Sequence, residues 1–119
     1  MDIESLTIGQ AKELVRLFGE HSIKAISPNL GKVCVVRTYS AGVHIGRVES
    51  VSGTAVVLNN ARRIWKWGGA FTLSEVSQQG IDAETSRVSI SVPEIELTQA
   101  IELIPATAAA IKSIDLCHE

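Results

Sequence analysis

The sequence predicts an α+β fold: a twisted antiparallel β-sheet or small β-barrel, with an N-terminal amphipathic helix and short peripheral helices. Runs of β-branched residues recur roughly every ten residues between tight turns, which is typical of an antiparallel meander and not of parallel βαβ units. Helix-capping patterns stand before and after these runs. The 119 residues are 45% apolar and 20% charged, which suits one ordered globular domain.

The first predicted element is an amphipathic helix near the N-terminus. Thr7 followed by Gln10 forms a capping box, and Gly19 supplies a left-handed residue that ends the helix. Its apolar residues are spaced by three and four positions and form one stripe: Ile8, Ala11, Val15 and Phe18. A helix of about three turns is not stable alone, so the stripe must pack on the domain or on copies of itself.

This organisation divides the chain into three segments. We expect residues 1–19 to be an oligomerisation helix, although a helix that covers one face of the sheet is the alternative. Residues 20–30 show no periodicity and are interpreted as a linker. Residues 31–119 are expected to form a β-rich ligand-binding domain.

The middle of the chain predicts four strands. Turn residues occur at 40–42 and 52–53, and the pair Asn59–Asn60 is expected to break the sheet again. The predicted strands are residues 32–39, 43–49, 54–58 and 62–67.

The last third of the chain predicts mixed structure. Thr72 and Glu75 form a capping box for a short helix that Gly80 ends. Residues 87–92 alternate between polar and apolar, which indicates a half-buried strand, and Pro93 favours an edge or bent position. The pattern of residues 100–104 fits either a strand or the end of a helix. Pro105 stops that element, and Thr107 is expected to cap a final helix through Ile114.

Charge is distributed unevenly along the chain. The formal net charge of −2 argues against a protein that coats DNA. Residues 31–69, however, carry six cationic side chains and one carboxylate, a net +5, whereas the remaining residues carry −7. The basic segment could attract an anion, or it could be a solvated surface that complements an acidic surface elsewhere.

No catalytic or metal-binding motif is present in the sequence. The three histidines share no short motif with carboxylates or cysteines, and the two cysteines suit neither a metal site nor a disulfide framework. Cys34 lies in an apolar run and is expected in the core. We therefore expect a non-enzymatic protein with no cofactor and no metal. The absence of an apolar leader or long apolar run favours a cytoplasmic location.

Residues 59–71 hold both tryptophans, three cations and a concentration of the chain's few aromatic residues. If the segment is extended, Arg63, Trp65 and Trp67 share one face. Indoles stack on bases and guanidinium groups pair with phosphates, although one tryptophan could instead fill the core. Together with the preceding hairpin, this segment predicts a ligand-binding site made of Arg37, Tyr39, His44, Asn60, Arg62, Arg63, Trp65 and Trp67.

Three motifs carry a family resemblance: VRTYSAGVHIG at 36–46, NARRIWKW at 60–67 and GAFTLSEV at 69–76. With these motifs the chain resembles, over about residues 31–107, a family of small, mostly uncharacterised tailed-phage proteins. The resemblance implies a phage or prophage origin, and hence action in the cytoplasm of a bacterial host.

These observations lead to one functional hypothesis and two alternatives. The leading expectation is a phage-encoded homo-oligomer that sequesters a small anionic nucleotide signal of bacterial immunity. The alternatives are a nucleic-acid-binding protein and a structural or interaction protein, both using the Arg-Trp surface. An enzyme that cleaves a nucleotide signal is disfavoured by the missing acid–base residues.

Overall fold

The computed structural model describes residues 27–119, which form a six-stranded antiparallel sheet with two short helices. The predicted N-terminal helix and nearly all of the predicted linker lie outside the described residues. The strands are β1 (Val33–Thr38), β2 (Val43–Ser52), β3 (Ala55–Lys66), β4 (Arg87–Val88), β5 (Val92–Leu97) and β6 (Ala100–Pro105), and the helices are α1 (Leu73–Gln79) and α2 (Ala108–Asp115).

The sheet is a meander that curls without closing. Strands β1, β2 and β3 pair in sequence order, as predicted, and β6 pairs with the free edge of β1. The far edge of β3 pairs with β5 along its first half and with β4 at its end. Only residues 98–99 separate β5 from β6, yet these two strands pair at opposite ends of the sheet and not with each other. The sheet is therefore not a closed barrel.

The predicted break at Asn59–Asn60 is wrong, because β3 runs through both residues. The pairing with β2 changes from Arg47↔Asn59 to Ile45↔Arg62, so β3 holds one residue more than its partner. Asn60 takes up this bulge with a φ of 50°, a left-handed conformation that asparagine tolerates better than most residues. The extra residue shifts the alternation of side chains between the two faces of the sheet.

Two apolar clusters cover the two faces of the sheet. The strand-lined cluster holds Cys34, Val36, Val48, Val56, Leu58, Ala61, Leu97 and Ala100. The helix-side cluster holds Val35, Ile45, Ile64, Val76, Ile81, Val88, Ile114 and Cys117. Because both ends of the sheet contribute to the strand-lined cluster, the sheet curls around it. The predicted core position of Cys34 is confirmed, and burial raises the pKa of the Cys34 and Cys117 thiols.

The two predicted helix caps that lie within residues 27–119 are confirmed. The Thr72 hydroxyl accepts from the Glu75 amide at 3.2 Å, and the Thr107 hydroxyl accepts from the Ala110 amide at 3.1 Å. Gly80 ends α1 with a φ of 87°. In the part of the chain from residue 27 onward, neither helix has the length and apolar character that a membrane crossing needs.

The region after α1 differs from its sequence prediction in one respect. Residues 87–92 are not one strand but two, because residues 89–91 leave the sheet between β4 and β5. Residues 100–105 form a strand, which decides between the two alternatives left open above. Pro93 lies in β5, which among the described strands pairs only with β3 and so is an edge strand, as predicted.

Candidate functional site

His44 and Arg63 meet across the pairing of β2 with β3. The two residues are direct partners in the register, and His44 also faces Val36 of the strand-lined cluster. The Arg63 Nε–H donates to His44 Nε2 at 3.2 Å. His44 is only 1% exposed, and its Nδ1 has no hydrogen-bond partner among the described residues.

Burial and the positive charge of Arg63 lower the pKa of His44 from 6.5 to about 4. Loss of solvation is the larger cause, because a buried imidazolium gives up its hydration. His44 is therefore neutral at pH 7. A neutral imidazole can accept the Arg63 hydrogen bond, which an imidazolium cannot do.

A cavity of about 250 Å³ lies beside this pair. Its walls come from β2, β3, β5 and the segment between β4 and β5. The lining residues are His44, Ala61, Arg62, Arg63, Ser89, Ile90, Val92 and Ile95. The cavity thus combines a largely apolar wall with one cationic and one imidazole side, as small-molecule sites commonly do.

Ser89 ties one wall of the cavity to Arg63. The Arg63 amide donates to the Ser89 hydroxyl, and the Ser89 amide donates to the Arg63 carbonyl, both at 2.8 Å. The Ser89 hydroxyl donates in turn to the Ile90 carbonyl at 3.0 Å. The neighbouring Ile90 side chain is 65% exposed at the edge of the cavity. The backbone around Arg63 is therefore held on two sides, by β2 and by residue 89.

The guanidinium group of Arg63 is only partly engaged. Apart from the Nε–H bond to His44, no hydrogen bond or ion pair within residues 27–119 involves it. Arg63 is an exposed residue overall, while its Nε is fixed by a buried partner. Its two terminal nitrogen atoms can therefore meet an anion in the cavity with little loss of conformational freedom.

Arg62 has a different role, because it binds four backbone carbonyls. Its Nε donates to Ser89 at 2.7 Å, and its Nη atoms donate to Val88, Ile114 and Cys117 at 3.3, 3.2 and 3.0 Å. These bonds join the end of α2 to β4 and the segment that follows it. Arg62 borders the cavity, but its guanidinium group is used to hold the fold together.

The two tryptophans lie in different environments. Trp65 is 56% exposed and stands two residues after Arg63 in β3, on the same face of the strand. Trp67 lies beyond the end of β3 and packs against the helix-side cluster. The prediction that Arg63, Trp65 and Trp67 share one face is therefore wrong for Trp67, because the strand ends before it.

The other predicted site residues do not line this cavity. Arg37 is exposed and alternates with Val36, so it lies on the helix side of β1. Tyr39 is 79% exposed beyond the end of β1, where its amide donates to the Gln99 carbonyl. Asn60 lines a second cavity of about 140 Å³, which Arg62 also borders. Of the eight predicted residues, the 250 Å³ cavity brings together His44, Arg62 and Arg63.

Sequence reasoning missed the apolar wall formed by Ile90, Val92 and Ile95. Val92 and Ile95 reach the cavity because β5 pairs with the first half of β3, and Ile90 reaches it from the segment between β4 and β5. The alternation of residues 87–92 signalled a half-buried strand but not its partner. Within the described residues, no three His, Cys, Asp or Glu side chains are grouped closely enough to hold a metal ion.

The fold and the site define a class: a small α+β protein whose curled antiparallel sheet carries a His–Arg pair beside a cavity. Residues 31–114 match the family model DUF6948, described as a domain of unknown function, and the chain belongs to that family. No curated protein and no solved structure matches the chain significantly.

Proposed function

We propose that this protein binds a small anionic nucleotide beside His44 and Arg63 and sequesters it without converting it. The observation that carries the proposal is the state of Arg63. Its Nε is fixed by a buried histidine, while its terminal nitrogen atoms face no partner within residues 27–119. A guanidinium fork held in this way pairs well with a phosphate group, whose oxygens match its geometry.

The surroundings of Arg63 suit the remainder of a nucleotide. Ala61, Val92 and Ile95 supply apolar wall area inside the cavity. Trp65 offers an exposed indole on the same face of β3, where a base could stack. Phosphate and base would thus meet neighbouring side chains of one strand.

The chemistry of the lining favours binding over catalysis. Among residues 27–119, no carboxylate lines the cavity, and His44 is neutral and already bonded to Arg63. The hydroxyl of Ser89 is occupied by backbone groups on both sides. None of these groups is arranged as an activated nucleophile or as a general base with an orienting partner.

The setting of this function is also part of the proposal. The resemblance to tailed-phage proteins suggests that the ligand is a nucleotide signal of bacterial immunity, captured in the host cytoplasm. We further propose a homo-oligomer assembled through residues 1–19. Light scattering of the full chain and of a chain without residues 1–19 tests this: a full-length monomer at micromolar concentration contradicts it.

Native mass spectrometry of the full-length protein tests the function. The panel contains cyclic dinucleotides, cyclic trinucleotides and cyclic ADP-ribose isomers. We expect one class to bind and to be recovered chemically intact after heat denaturation. Arg63→Ala should weaken that binding about tenfold to a hundredfold, which corresponds to the loss of about 1.5–3 kcal/mol for a charge-assisted contact.

Arg47→Ala is the matched control for Arg63→Ala. Arg47 is an exposed cation of β2 that does not line the 250 Å³ cavity, so its loss changes the net charge equally. Equal affinity of the Arg63→Ala and wild-type proteins would show that the ligand binds elsewhere. Recovery of a hydrolysed product over many turnovers would make the protein an enzyme.

Binding to single-stranded nucleic acid is the second candidate, because Trp65 and the basic segment are exposed. Such binding weakens steeply with salt and strengthens with strand length. A nucleotide-binding cavity should instead bind one compact nucleotide more tightly than a single strand of any length tested.

A further inference from the structure

Two irregularities in the pairing of β2 with β3 cancel each other. The bulge described above gives β3 one extra residue, Asn60, whereas a second irregularity gives β2 one extra residue, Glu49. Residues 43–45 and 50–52 of β2 therefore meet β3 in one continuous register. The hairpin needs neither bulge to align its two ends, so the effect of the bulges lies between these ends.

The bulges exchange the two faces of the sheet within each strand. Strict alternation would put Leu58 and Ile64 of β3 on one face. Leu58 instead lies in the strand-lined cluster and Ile64 in the helix-side cluster. In β2, Val51 packs against the strand-lined cluster, whereas Ile45, an even number of residues away, lies in the helix-side cluster. Each strand therefore changes the phase of its alternation once between these residues.

This change of phase determines the face on which His44 and Arg63 lie. By strict alternation from Leu58, Arg62 would lie on the face of the strand-lined cluster and Arg63 on the helix side. Alternation from Val51 would likewise place His44 on the helix side. Because both strands change phase, His44 and Arg63 remain partners and line the 250 Å³ cavity together.

We infer that Asn60 is a positioning residue whose left-handed backbone turns the pair of His44 and Arg63 to the cavity side of the sheet. This inference rests on the proposed function, because it assigns Asn60 to the positioning of the proposed anion site. Asn60 does not line the 250 Å³ cavity and acts through its backbone, which has a φ of 50°. Glycine adopts such a φ freely and asparagine tolerates it, but a β-branched residue is strained there. Anion affinity should therefore follow this backbone preference and not the chemistry of the side chain.

The experiment compares Asn60→Gly and Asn60→Val in the full-length protein, with inorganic pyrophosphate as the probe. Gly53→Val is the matched control, because Gly53 has a φ of 59° in the turn of the same hairpin and a Cβ atom there meets nothing within 4 Å. Both valine variants carry similar backbone strain, but only Asn60→Val should weaken pyrophosphate binding, by about tenfold. Asn60→Gly should bind pyrophosphate as tightly as the wild type.

A second measurement follows Arg63 without any ligand. In protein labelled with ¹⁵N-arginine, the bond to His44 should protect the Nε–H group of Arg63 from exchange with water. This protection should persist in Asn60→Gly and in Gly53→Val, and it should be lost in Asn60→Val. A general loss of structure would instead lower the protection in both valine variants.

Three outcomes would overturn the inference: unchanged affinity in Asn60→Val, weaker binding in Asn60→Gly, or an equal loss of affinity in both valine variants. Asn60→Ala is measured in parallel, since its unbranched side chain strains the backbone less than valine, and its affinity should lie between those of the glycine and valine variants. If the protection of Arg63 changes as expected but neither pyrophosphate nor a nucleotide binds, the positioning role stands and the proposed function fails. If a nucleotide binds all variants equally, the proposed function stands and the inference fails.

Discussion

Arg62 and Arg63 are consecutive in β3, yet their guanidinium groups lie on opposite faces of the sheet. Arg62 reaches the carbonyls of Ile114 and Cys117 at the end of α2, and Arg63 reaches His44 in β2. The alternation of a strand causes this separation. Arg62 therefore stabilises the fold, whereas the terminal nitrogen atoms of Arg63 remain able to bind an anion.

Replacement of Arg62 should lower stability more than it lowers ligand affinity per folded molecule. Arg62→Lys keeps the charge but cannot reach four carbonyls, since lysine has no planar fork. We expect a loss of about 3 kcal/mol in the free energy of unfolding, the scale of one or two charge-assisted bonds. Urea unfolding measures it, with Arg47→Lys as the control. A change below about 0.5 kcal/mol, typical of plain surface sites, would contradict the role assigned to Arg62.

Acidification should destabilise the protein through His44. The pKa of His44 is about 4 in the fold against 6.5 for a free imidazole, so between these values the unfolded chain binds more protons. Its contribution to stability is complete above about pH 6.5 and is lost as the pH falls towards 4, by about 3 kcal/mol in total. Urea unfolding between pH 4.5 and 7.5 should show this slope in the wild type. The slope should be smaller in His44→Asn, and an equal slope in both proteins would refute the prediction.

The two tryptophans should respond differently to truncation. Trp65→Ala removes an exposed side chain and should change stability by less than about 0.5 kcal/mol. It should weaken binding of a nucleotide by about 1–3 kcal/mol through lost base stacking. Thermal unfolding and a binding titration on the same sample measure both effects.

Trp67→Ala should instead lower stability, because Trp67 packs against the helix-side cluster. We expect a loss of about 2–3 kcal/mol, somewhat below the cost of truncating a fully buried aromatic residue. Urea unfolding measures this loss. If Trp67→Ala is as stable as the wild type, the packing of this side chain against the helix-side cluster is refuted.

Gly46 should resist substitution because of the bulge opposite it. A Cβ atom at this position would lie 3.0 Å from Leu58 Cβ and 3.2 Å from Ala61 Cα. Gly46→Ala should therefore cost about 1–3 kcal/mol in the free energy of unfolding, as overpacking of cores does. Ser50→Ala, at an exposed position of the same strand, serves as the control. Equal stability of the two variants would contradict this prediction, because it would mean that Leu58 and Ala61 shift to accommodate the added Cβ atom at little cost.

Local pattern was enough to predict much of this fold. The β-branched runs predicted β1 and β2, and the side-chain hydroxyls of Thr72 and Thr107 start the helices as expected. These features depend on neighbours within a few residues, which sequence spacing records directly. The same holds for Arg63, because the concentration of cations and aromatic residues around it in the sequence predicts a binding role.

The failures arose where a residue's role depends on distant partners. Asn59–Asn60 read as a break, but pairing with β2 and β5 carries the strand through it as a bulge. Strand alternation predicts that Trp67 shares the face of Arg63. However, β3 ends at Lys66, and the Trp67 side chain packs against the helix-side cluster. Tertiary packing overrides local preference at such points.

The sequence by itself determined that the chain builds an antiparallel meander and places cations and indoles around residue 63, because both follow from alternation and spacing. Only the tertiary structure decided which of these cationic and indole side chains remain free to contact a ligand. It buries His44 against Arg63, commits Arg62 to the carbonyls of β4 and α2, and adds an apolar wall from β5. Those outcomes rest on contacts between residues far apart in the chain, and no local pattern records such contacts.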